Sequence, residues 1–576
     1  MAVEKLITDH IDIWSSALQT RSMAGRGSNG KIDLYGIKKL RELILELAVR
    51  GKLVPQDLND EPASELLKRI AAEKAELVKQ GKIKKQKPLP EISEDEKPFE
   101  LPKGWEFMRM DHVGHDWGQK APENDFTYID VGSINKELGT ISEPGVINPK
   151  DAPSRARKIV RRNTVLYSTV RPYLLNIAVV DEDYDPEPIA STAFAIIHPW
   201  NGISSTFIYH YLRSPIFVSY VESCQTGIAY PAINDKQFFT GVIAIPPVEE
   251  QLRIVSKVNE LMSLCDQLEQ KSLSSLDAHQ QLVETLLATL TDSQNAEELA
   301  ESWARISQHF DTLFTTEASI DALKQTILQL AVMGKLVPQD PNDEPASELL
   351  KRIEQEKAQL VKEGKIKKHP PVEPLGEPAL LPRSWLNIVV QDFADIRLGS
   401  TPDRSEKKYW NGDIPWVSSG EVANEVILDT KEKITPEGFK NSSTSMIPTG
   451  SLLMAIIGQG KTRGQTAILG IDACTNQNVA AFVFNQVLVE PEYVWIWAKS
   501  KYLSHRGDGH GGAQPALNGK KVRSFIFPLA PIKEQQRIVS EVKRLNDICD
   551  TLQSRLQSAQ QTQLHLADAL TDAALN

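Results

Sequence analysis

The chain has 576 residues, of which 41% are hydrophobic and 24% charged, and its formal net charge at pH 7 is −11. This length exceeds what one hydrophobic core can organise, so the sequence predicts several soluble globular domains. No apolar run approaches the ~20 residues of a membrane-spanning helix. The N-terminus is unlike a secretory signal, and the four cysteines lack CxxC spacing. We therefore expect a cytoplasmic protein without a zinc site or a disulfide framework. The acidic balance argues against wholesale wrapping of nucleic acid but allows a local basic face.

An internal repeat dominates the sequence. GKLVPQDLNDEPASELLKRI at 51–70 returns at 334–353, with Pro341 in place of Leu58 as the one difference. Long internal repeats determine an architecture before local patterns do. The repeat predicts that one structural unit is used twice.

Residues 1–100 are predicted to form an N-terminal helical region. Apolar residues recur at helical spacing from Ile37 to Leu47, and Gly51 is placed to end that helix. Pro62 marks the start of the next helix. A linker rich in lysine, proline and acidic residues follows at 81–98.

Two globules interrupt the helical pattern, at 101–247 and 381–530. Each opens with Leu-Pro-x-x-Trp and shows short apolar runs broken by glycine, proline and asparagine, which predicts a mixed α/β domain. One helix is predicted over 205–224. The two globules scarcely align between their edges, so we expect one repeated frame to carry two domains with different targets.

A long helix is predicted after each globule, beginning after Pro247 and at Pro531. Each has apolar residues with spacings of 4, 3, 4 and 3, the a/d seam of a coiled coil. The seam residues are Ile254, Val258, Leu261, Cys265 and Leu268 in the first helix, and Ile538, Val542, Leu545, Cys549 and Leu552 in the second.

The order of elements predicts an α+β fold in which two long antiparallel helical modules, forming a coiled coil, separate two mixed α/β globules. Residues 248–380 would form the central helical region. The C-terminal helix at 531–576 would pack with the N-terminal region. The molecule would then be pseudo-twofold and nearly cyclic, with adjacent termini.

Basic and amide side chains cluster in both globules. Guanidinium groups suit phosphates and guanine edges, and amides suit adenine edges. A basic strip is also common on any globule of this size, so the pattern by itself leaves nucleic-acid binding open. The candidates are Arg155, Arg157, Lys158, Arg161, Arg162, Arg171 and Tyr173 in the first globule, and Arg404, Lys407, Lys408, Gln459, Lys461, Arg463, Gln465, Gln514, Asn518, Lys520 and Lys521 in the second.

Catalytic motifs are incomplete. AIIGQGKT at 455–462 resembles a phosphate-binding loop but has alanine at the first glycine position. Asp403 with Asp429-x-Lys431 fits a nuclease pattern only loosely. His112 and His115 lack a third metal anchor, and the histidines of the glycine-rich loop at 505–510 lack a nearby nucleophile. We expect no catalytic residue, metal or cofactor site in this chain.

The chain resembles the specificity subunit of type I restriction-modification enzymes. The resemblance rests on the doubled GKLVPQ-DEPASELLKRI block, the Leu-Pro-x-x-Trp entrances and the Glu-Gln-x-Arg-Ile helix starts at 250–254 and 534–538. The stretch at 399–421 is similar to the opening of many target-recognition domains of that family. Together these motifs cover almost the whole chain.

The resemblance implies that each globule is a target-recognition domain for one half of a split, asymmetric site in double-stranded DNA. The long helices would fix the unread spacer, and the repeated helices would recruit two modification subunits that use S-adenosylmethionine to methylate adenine. Restriction subunits would add translocation and cleavage, with ATP and Mg. The alternative is a protein-interaction scaffold whose globules bind two different proteins.

Overall fold

The computed structural model describes residues 3–21, 31–83, 89–227, 231–458, 462–502, 504 and 517–575. It consists of two compact units, each with one globule. Unit 1 comprises residues 1–20, 32–274 and 560–576, and unit 2 comprises 21–31 and 275–559. We call 101–247 globule 1 and 381–530 globule 2. Helices and sheets are both present in each unit, which confirms the predicted α+β class with two globules.

The helices are α1 (Val3–Asp9), α2 (Ile11–Ser16), α3 (Tyr35–Val49), α4 (Ala63–Lys79), α5 (Ser205–Arg213), α6 (Pro215–Cys224), α7 (Asp235–Thr240), α8 (Val248–Asp292), α9 (Ala296–Gln308), α10 (Phe310–Leu313), α11 (Glu317–Val332), α12 (Ala346–Lys362), α13 (Val390–Phe393), α14 (Pro436–Lys440), α15 (Pro491–Ser500), α16 (Gly519–Arg523) and α17 (Ile532–Leu575). The two long helices, α8 and α17, contain 45 and 44 residues.

The strands of unit 1 and its boundary are β1 (Gln19–Arg21), β2 (Lys31–Asp33), β3 (Glu106–Arg109), β4 (Gly114–His115), β5 (Phe126–Ile129), β6 (Ile134–Asn135), β7 (Thr140–Ile141), β8 (Gly145–Ile147), β9 (Ala156–Ile159), β10 (Val165–Ser168), β11 (Ile177–Val179), β12 (Pro188–Ser191), β13 (Phe194–Pro199) and β14 (Val242–Ile245). Those of globule 2 are β15 (Leu386–Val389), β16 (Asp395–Leu398), β17 (Trp410–Val417), β18 (Val426–Ile427), β19 (Glu432–Ile434), β20 (Leu452–Ala455), β21 (Thr466–Leu469), β22 (Cys474–Thr475), β23 (Val479–Val483) and β24 (Ile526–Leu529).

The helix predicted over 205–224 is two helices, α5 and α6. Ser214 lies between them, and its hydroxyl accepts a hydrogen bond from the amide of Phe217. Pro215 occupies the first position of α6. Proline has no amide hydrogen to continue the preceding helix but fits the first turn of a new one. The single-helix prediction was wrong because it followed apolar periodicity across this break.

The predicted seams are buried within their own units. In unit 1, the seam of α8 is buried at Ile254, Val258, Leu261 and Cys265, and Leu268 is half-buried. Arg41 of α3 reaches the same helix through ion pairs with Asp266 and Glu269, at 2.7 and 2.8 Å.

In unit 2, the α17 seam is buried at Ile538, Val542 and Cys549, and Leu545 and Leu552 pack against the same core. Val283 and Leu287 from the later turns of α8 belong to that core too. Each unit therefore draws on both long helices, although pairing of the two as a coiled coil stays a prediction.

The first and last strands of each globule pair with one another. β3 is antiparallel to β14, and β15 is antiparallel to β24. This pairing brings the entrance and the exit of each globule together. Each globule therefore begins and ends at the same place, and α8 or α17 follows directly from its last strand.

The two globules share a strand topology that their sequences do not reveal. In globule 1, β10 lies between antiparallel β11 and β13, and β5 lies between antiparallel β8 and parallel β12. In globule 2, β20 lies between antiparallel β21 and β23, and β17 lies between antiparallel β19 and parallel β22. The globules are two versions of one fold.

The repeated residues build a junction where each globule meets its long helix. In unit 1, the indole of Trp105 donates to the Glu250 carboxylate at 3.0 Å, and Arg253 pairs with Asp60 at 2.5 Å. Trp105 and Glu250 are both buried. Burial raises the pKa of Glu250, and the bond from Trp105 opposes that rise.

The junction recurs in unit 2 with the equivalent residues. Arg537 pairs with Asp343 at 2.7 Å, and the Gln339 amide donates to Glu534 at 2.5 Å. Burial raises the pKa of Glu534 as well. The entrances, the 20-residue repeat and the Glu-Gln-x-Arg helix starts are therefore duplicated because together they form one buried junction.

The lysine of each Gly-Lys-Leu-Val-Pro-Gln motif holds the end of a long helix. Lys335 donates to the carbonyls of Thr291 and Ser293, at 2.5 and 2.9 Å, where α8 ends. Lys52 donates to the carbonyl of Leu575 at the end of α17, at 2.5 Å. A cation is favourable beside the unpaired carbonyls of a helix C-terminus. In unit 1, the C-terminal helix thus packs with the N-terminal region.

The glycine before that lysine is required by both space and backbone conformation. Gly334 has φ +69°, and a Cβ there would lie 2.5 Å from Cγ of Pro382. Gly364, also in unit 2, has φ +71° but no atom near its Cβ position. A side chain at Gly364 would meet only the cost of the left-handed backbone. A side chain at Gly334 would meet that cost and a clash with Pro382.

We expect Gly334→Ala to destabilise unit 2 more than Gly364→Ala. The left-handed backbone costs both variants about 1–2 kcal/mol. The clash with Pro382 adds about 1–3 kcal/mol to Gly334→Ala alone. Urea unfolding followed by tryptophan fluorescence measures both. Equal losses in the two variants would show that the junction tolerates a side chain at this position.

Candidate nucleic-acid interface

The main sheet of globule 2 has two unlike ends. Its strand register places Leu398, Ala455, Thr466 and Val479 at one end, which we call the far end. The opposite, near end faces α12. There Asn485 donates to Glu356 of α12 at 2.9 Å, and Lys357 of α12 donates to the carbonyl of Gln391. The helices therefore cover the near end.

Four connections meet at the far end of globule 2. The segment after β16 lies against the one before β23, because the Ser400 amide donates to the carbonyl of Thr475 at 3.0 Å, and Thr401 bonds Gln477 at 2.6 Å. The turn between β20 and β21 is joined to them through the Ile456 amide. Gly519, at the start of α16, packs on Leu398.

Most of the candidate residues of globule 2 lie on these connections. Asn518 caps α16 by accepting from the Lys521 amide at 2.9 Å, and Lys520 is exposed beside it. Gln465 is half-buried in the β20–β21 turn. Lys407 and Lys408 are exposed on the segment after β16, where Lys408 pairs with Glu437 at 2.6 Å. Gln459, Lys461 and Gln514 lie outside the described residues.

Arg463 differs from its prediction as a surface contact. Its side chain is 8% exposed. It lies in the β20–β21 turn, next to Gly464, whose Cβ position is 3.4 Å from Tyr502. The turn lies against Tyr502, just after α15, so Arg463 is buried and is not a surface contact.

Arg404 is held in one orientation by a platform of two tryptophans. Its guanidinium carbon lies 4.1 Å from the ring centre of Trp410 and 5.2 Å from that of Trp416. Both its terminal nitrogens bond the Glu432 carboxylate, one at 2.9 Å. The bond from Arg404 lowers the pKa of Glu432. The sequence identified Arg404 but not the two tryptophans beneath it. The spacing of Trp410 and Trp416 in the stretch at 399–421 is the pattern that could have indicated them.

Globule 1 has the same two ends. Ser168, Ile177 and Phe194 mark its far end. Arg171 and Tyr173 are exposed on the β10–β11 connection there, and the Arg171 amide donates to the carbonyl of Pro231 at 2.8 Å.

Arg155 lies at the same corner. Its carbonyl accepts a hydrogen bond from the Thr192 amide at 2.8 Å. The carbonyl of Ala193, the residue after Thr192, accepts one from the Thr169 amide at 2.9 Å. Arg155 is exposed there. Arg157 follows it on edge strand β9 and is half-buried.

The predicted basic strip of globule 1 is not one surface. Arg161 and Arg162 lie at the near end, because they precede the first residue of β10, which is at that end of the sheet. Arg161 stacks on Trp117 at 4.1 Å, and Arg162 pairs with Asp183 at 3.8 Å. We therefore remove both from the candidate interface.

Lys158 is also removed from the interface, because it is 4% exposed. Burial alternates along β9, and Lys158 occupies an inward position. Its ammonium lies 3.4 Å from Asp235 and 4.0 Å from Asp116. A buried lysine of this kind is satisfied by carboxylates of its own domain.

His115, one of the two histidines that the sequence offered as metal ligands, packs in an aromatic cluster at the near end of globule 1. The His115 ring lies 4.4 Å from Trp117, 5.3 Å from His198 and 4.7 Å from Trp200. Burial lowers the pKa of His115, and burial, His115 and Arg161 lower the pKa of His198 to about 4. Among the described residues, no group of three or more histidine, cysteine or acidic side chains could hold a metal ion.

The two carboxylates of the loose nuclease pattern have partners close to them in sequence. Asp403 accepts from the amide and hydroxyl of Ser405, at 2.9 and 2.7 Å, and Asp429 pairs with Lys433 at 3.2 Å. The phosphate-loop pattern falls partly outside the described residues, at 459–461. In the part of the chain that the structure describes, no helix is long and apolar enough to cross a bilayer.

Comparison with known proteins identifies the family. Residues 382–560 match the model of the type I restriction modification DNA specificity domain. The chain is 48% identical to the type I restriction enzyme EcoAI specificity subunit of Escherichia coli, with all of both chains covered. It is also 48% identical to the EcoEI specificity subunit of the same species, again over all of both chains.

The chain belongs to the type I restriction enzyme specificity subunits. This confirms the resemblance derived from the repeated motifs. Such subunits are non-catalytic members of an enzyme complex. A solved structure described as showing complex assembly and conformational transition of the type I restriction-modification system covers 83% of this chain and 99% of its own, with 22% identity and a TM-score of 0.52. That likeness supports the fold.

We expect acid to destabilise this specificity subunit through His198. Its folded pKa of about 4 lies below the ordinary 6.5, so the folded state favours the neutral ring. The stabilisation is complete above pH 6.5 and is lost as pH falls from there toward 4. Urea unfolding of wild type and His198→Gln at several pH values tests this.

The stability difference between wild type and His198→Gln should shrink as the pH falls. His309→Gln is the control, because His309 is exposed just after α9 and lies outside the cluster. A difference that stays constant from neutral to acidic pH would contradict the assignment.

Proposed function

We propose that this chain is the DNA-specificity component of a type I restriction-modification complex, and that each globule reads one half of a bipartite, asymmetric site in double-stranded DNA with its far end. The relatives named above carry the name of specificity subunits. The observation that carries the proposal is the matched polarity of the two globules. Each has a near end packed on helices and a far end that gathers basic and amide side chains.

The far ends have the chemistry that base reading requires. Arginine donates two parallel hydrogen bonds to guanine, and amides pair with adenine in the major groove. Arg155, Arg171 and Tyr173 supply such groups in globule 1. Arg404, Gln465 and Asn518 supply them in globule 2, where Arg404 would exchange its bonds to Glu432 for bonds to DNA. Because these residues differ between globules that share one fold, the two half-sites would differ in sequence.

The helices would supply the spacing and the partner surfaces. Both long helices continue from one unit into the other. Their length would therefore determine how many base pairs between the half-sites go unread. The repeated helices around α4 and α12 carry nearly identical sequences, so they would bind two copies of one partner, the modification subunit.

The partner subunits would bring the cofactors. S-adenosylmethionine would belong to the modification subunits, and ATP and Mg to the restriction subunits. The alanine at the first glycine position of the phosphate-loop pattern at 455–462 is in keeping with that division. The alternative of a protein scaffold that binds no nucleic acid is not favoured, because relatives at 48% identity over the whole chain are specificity subunits.

We expect Arg171→Ala and Arg404→Ala to weaken opposite halves of the recognised site. Loss of a base or backbone contact at one far end should cost about 1–3 kcal/mol there and leave the other half unchanged. Sequencing of methylated adenines in cells that express each variant with its modification subunits would show which half is relaxed.

Arg544→Ala is the matched control. This arginine is exposed on α17, where it pairs with Glu541 at 2.6 Å. It should leave both half-sites intact. If either far-end variant weakened both halves equally, the assignment of one globule to one half would be wrong. A continuous recognition site in the wild type would overturn the proposed function.

A further inference from the structure

The two globules have the same local structure where their last loop enters the final short helix. In globule 1, Asn234 caps α7 by accepting from the Gln237 amide at 2.9 Å. In globule 2, Asn518 caps α16 in the same way, accepting from the Lys521 amide at 2.9 Å. Both loops carry a Pro-Ala-(Ile/Leu)-Asn sequence. This is a rare stretch in which the unlike globules agree.

A lysine stands two residues after each of these asparagines. Lys236 and Lys520 are both exposed. Each has a hydroxyl four residues later that donates to its carbonyl: Thr240 to Lys236 at 2.7 Å, and Ser524 to Lys520 at 2.9 Å. The two lysines therefore occupy equivalent backbone positions, and neither forms an ion pair with a described carboxylate.

Both lysines stand at the far end of their globule. The residues that precede α7 pair with the β10–β11 connection, since the Ile233 amide donates to the carbonyl of Thr169 at 3.0 Å. The first residue of α16, Gly519, packs on Leu398 at the far end of β16. The equivalence thus extends to the surface that we assign to DNA.

The two lysines have different neighbours in sequence. In globule 1, the neighbouring Asp235 carboxylate lies 3.4 Å from the buried Lys158 ammonium, which offsets its charge. In globule 2, the equivalent neighbour is the uncharged Gly519, and Lys521 adds a second cation. Lys158 also lies 4.0 Å from Asp116, so it offsets only part of the acidic charge near Lys236.

A group shared by two readers of different sequences cannot distinguish those sequences. The feature that any two half-sites have in common is the sugar–phosphate backbone. Contacts to phosphate position a protein on the duplex without reading bases. A lysine ammonium is suited to this, because it is a compact charge on a flexible stem.

We infer that Lys236 and Lys520 are a matched pair of phosphate contacts, one at the far end of each globule, that position both globules on the duplex without reading bases. The inference rests on the proposed function and adds Lys236 to the interface. Lys236 and Lys520 would contact the DNA backbone in the same way in both globules. The residues that differ between the globules, such as Arg171 and Arg404, would read the bases of the half-sites.

Salt dependence of DNA binding tests the pair. We expect Lys236→Ala and Lys520→Ala each to reduce the slope of log affinity against log salt by about 0.9, the value for one released counterion. The double variant should lose about twice as much. Affinity for matched and mismatched duplexes should fall by the same factor, and the methylated sequence should not change. The complex with modification subunits should be used throughout.

Matched variants control for charge and for folding. Lys271→Ala and Lys543→Ala remove exposed lysines of the long helices α8 and α17, outside the repeated helices that would bind the modification subunits. These should leave the slope unchanged. Lys236→Arg and Lys520→Arg keep the charge and should restore the wild-type slope.

Two results would overturn the inference. One is a slope unchanged by Lys236→Ala or Lys520→Ala. The other is a changed base preference in either variant, which would make that lysine a reader. In both cases the wild-type complex would still recognise a bipartite site. Failure of the wild type to do so would instead overturn the proposed function.

Discussion

The buried junction between each globule and its long helix is the constraint on which the rest of the structure depends. In unit 1, Glu250 accepts from Trp105 while Arg253 pairs with Asp60. These four residues come from three separated stretches of sequence, so the junction fixes the helix start, the globule entrance and the repeated block at once. A buried carboxylate is costly unless it is hydrogen-bonded, which explains why its partners recur in both units.

A fixed junction permits variation elsewhere. Because β3 pairs with β14 and β15 with β24, each globule is closed at its base, and its interior need only preserve a common set of strands. The connections at the opposite end have few structural contacts that are common to both globules. That end can change its side chains, and thus its target, without disturbing the helices.

The charge distribution agrees with this division. The chain carries a net charge of −11. The exposed basic groups at the far ends therefore give those ends a more positive electrostatic potential than the rest of the acidic surface. This potential would direct a polyanion to the far ends. Several other basic groups are already satisfied within the protein, as Lys158 is by Asp235 and Arg161 by Trp117. Counting basic residues by segment overstates the surface that is available to DNA.

The sequence by itself determined the repeat, the helices and the family. Helical periodicity is local, so the apolar spacing from Ile37 to Leu47 and along α8 and α17 could be interpreted without coordinates. The motifs at 250–254 and 534–538, combined with the repeated block and the Leu-Pro-x-x-Trp entrances, were specific enough to indicate a type I specificity subunit, which whole-length relatives confirm.

Only the tertiary structure decided which basic residues share a surface. The stretch at 151–173 is continuous in sequence, but it crosses from one end of the sheet to the other, so Arg161 and Arg171 are separated by the length of β10. Strand alternation turned Lys158 inward, and a tight turn buried Arg463. The common topology of the globules was hidden for the same reason. Strand pairing joins residues far apart in the chain, and no local pattern records which strands will meet.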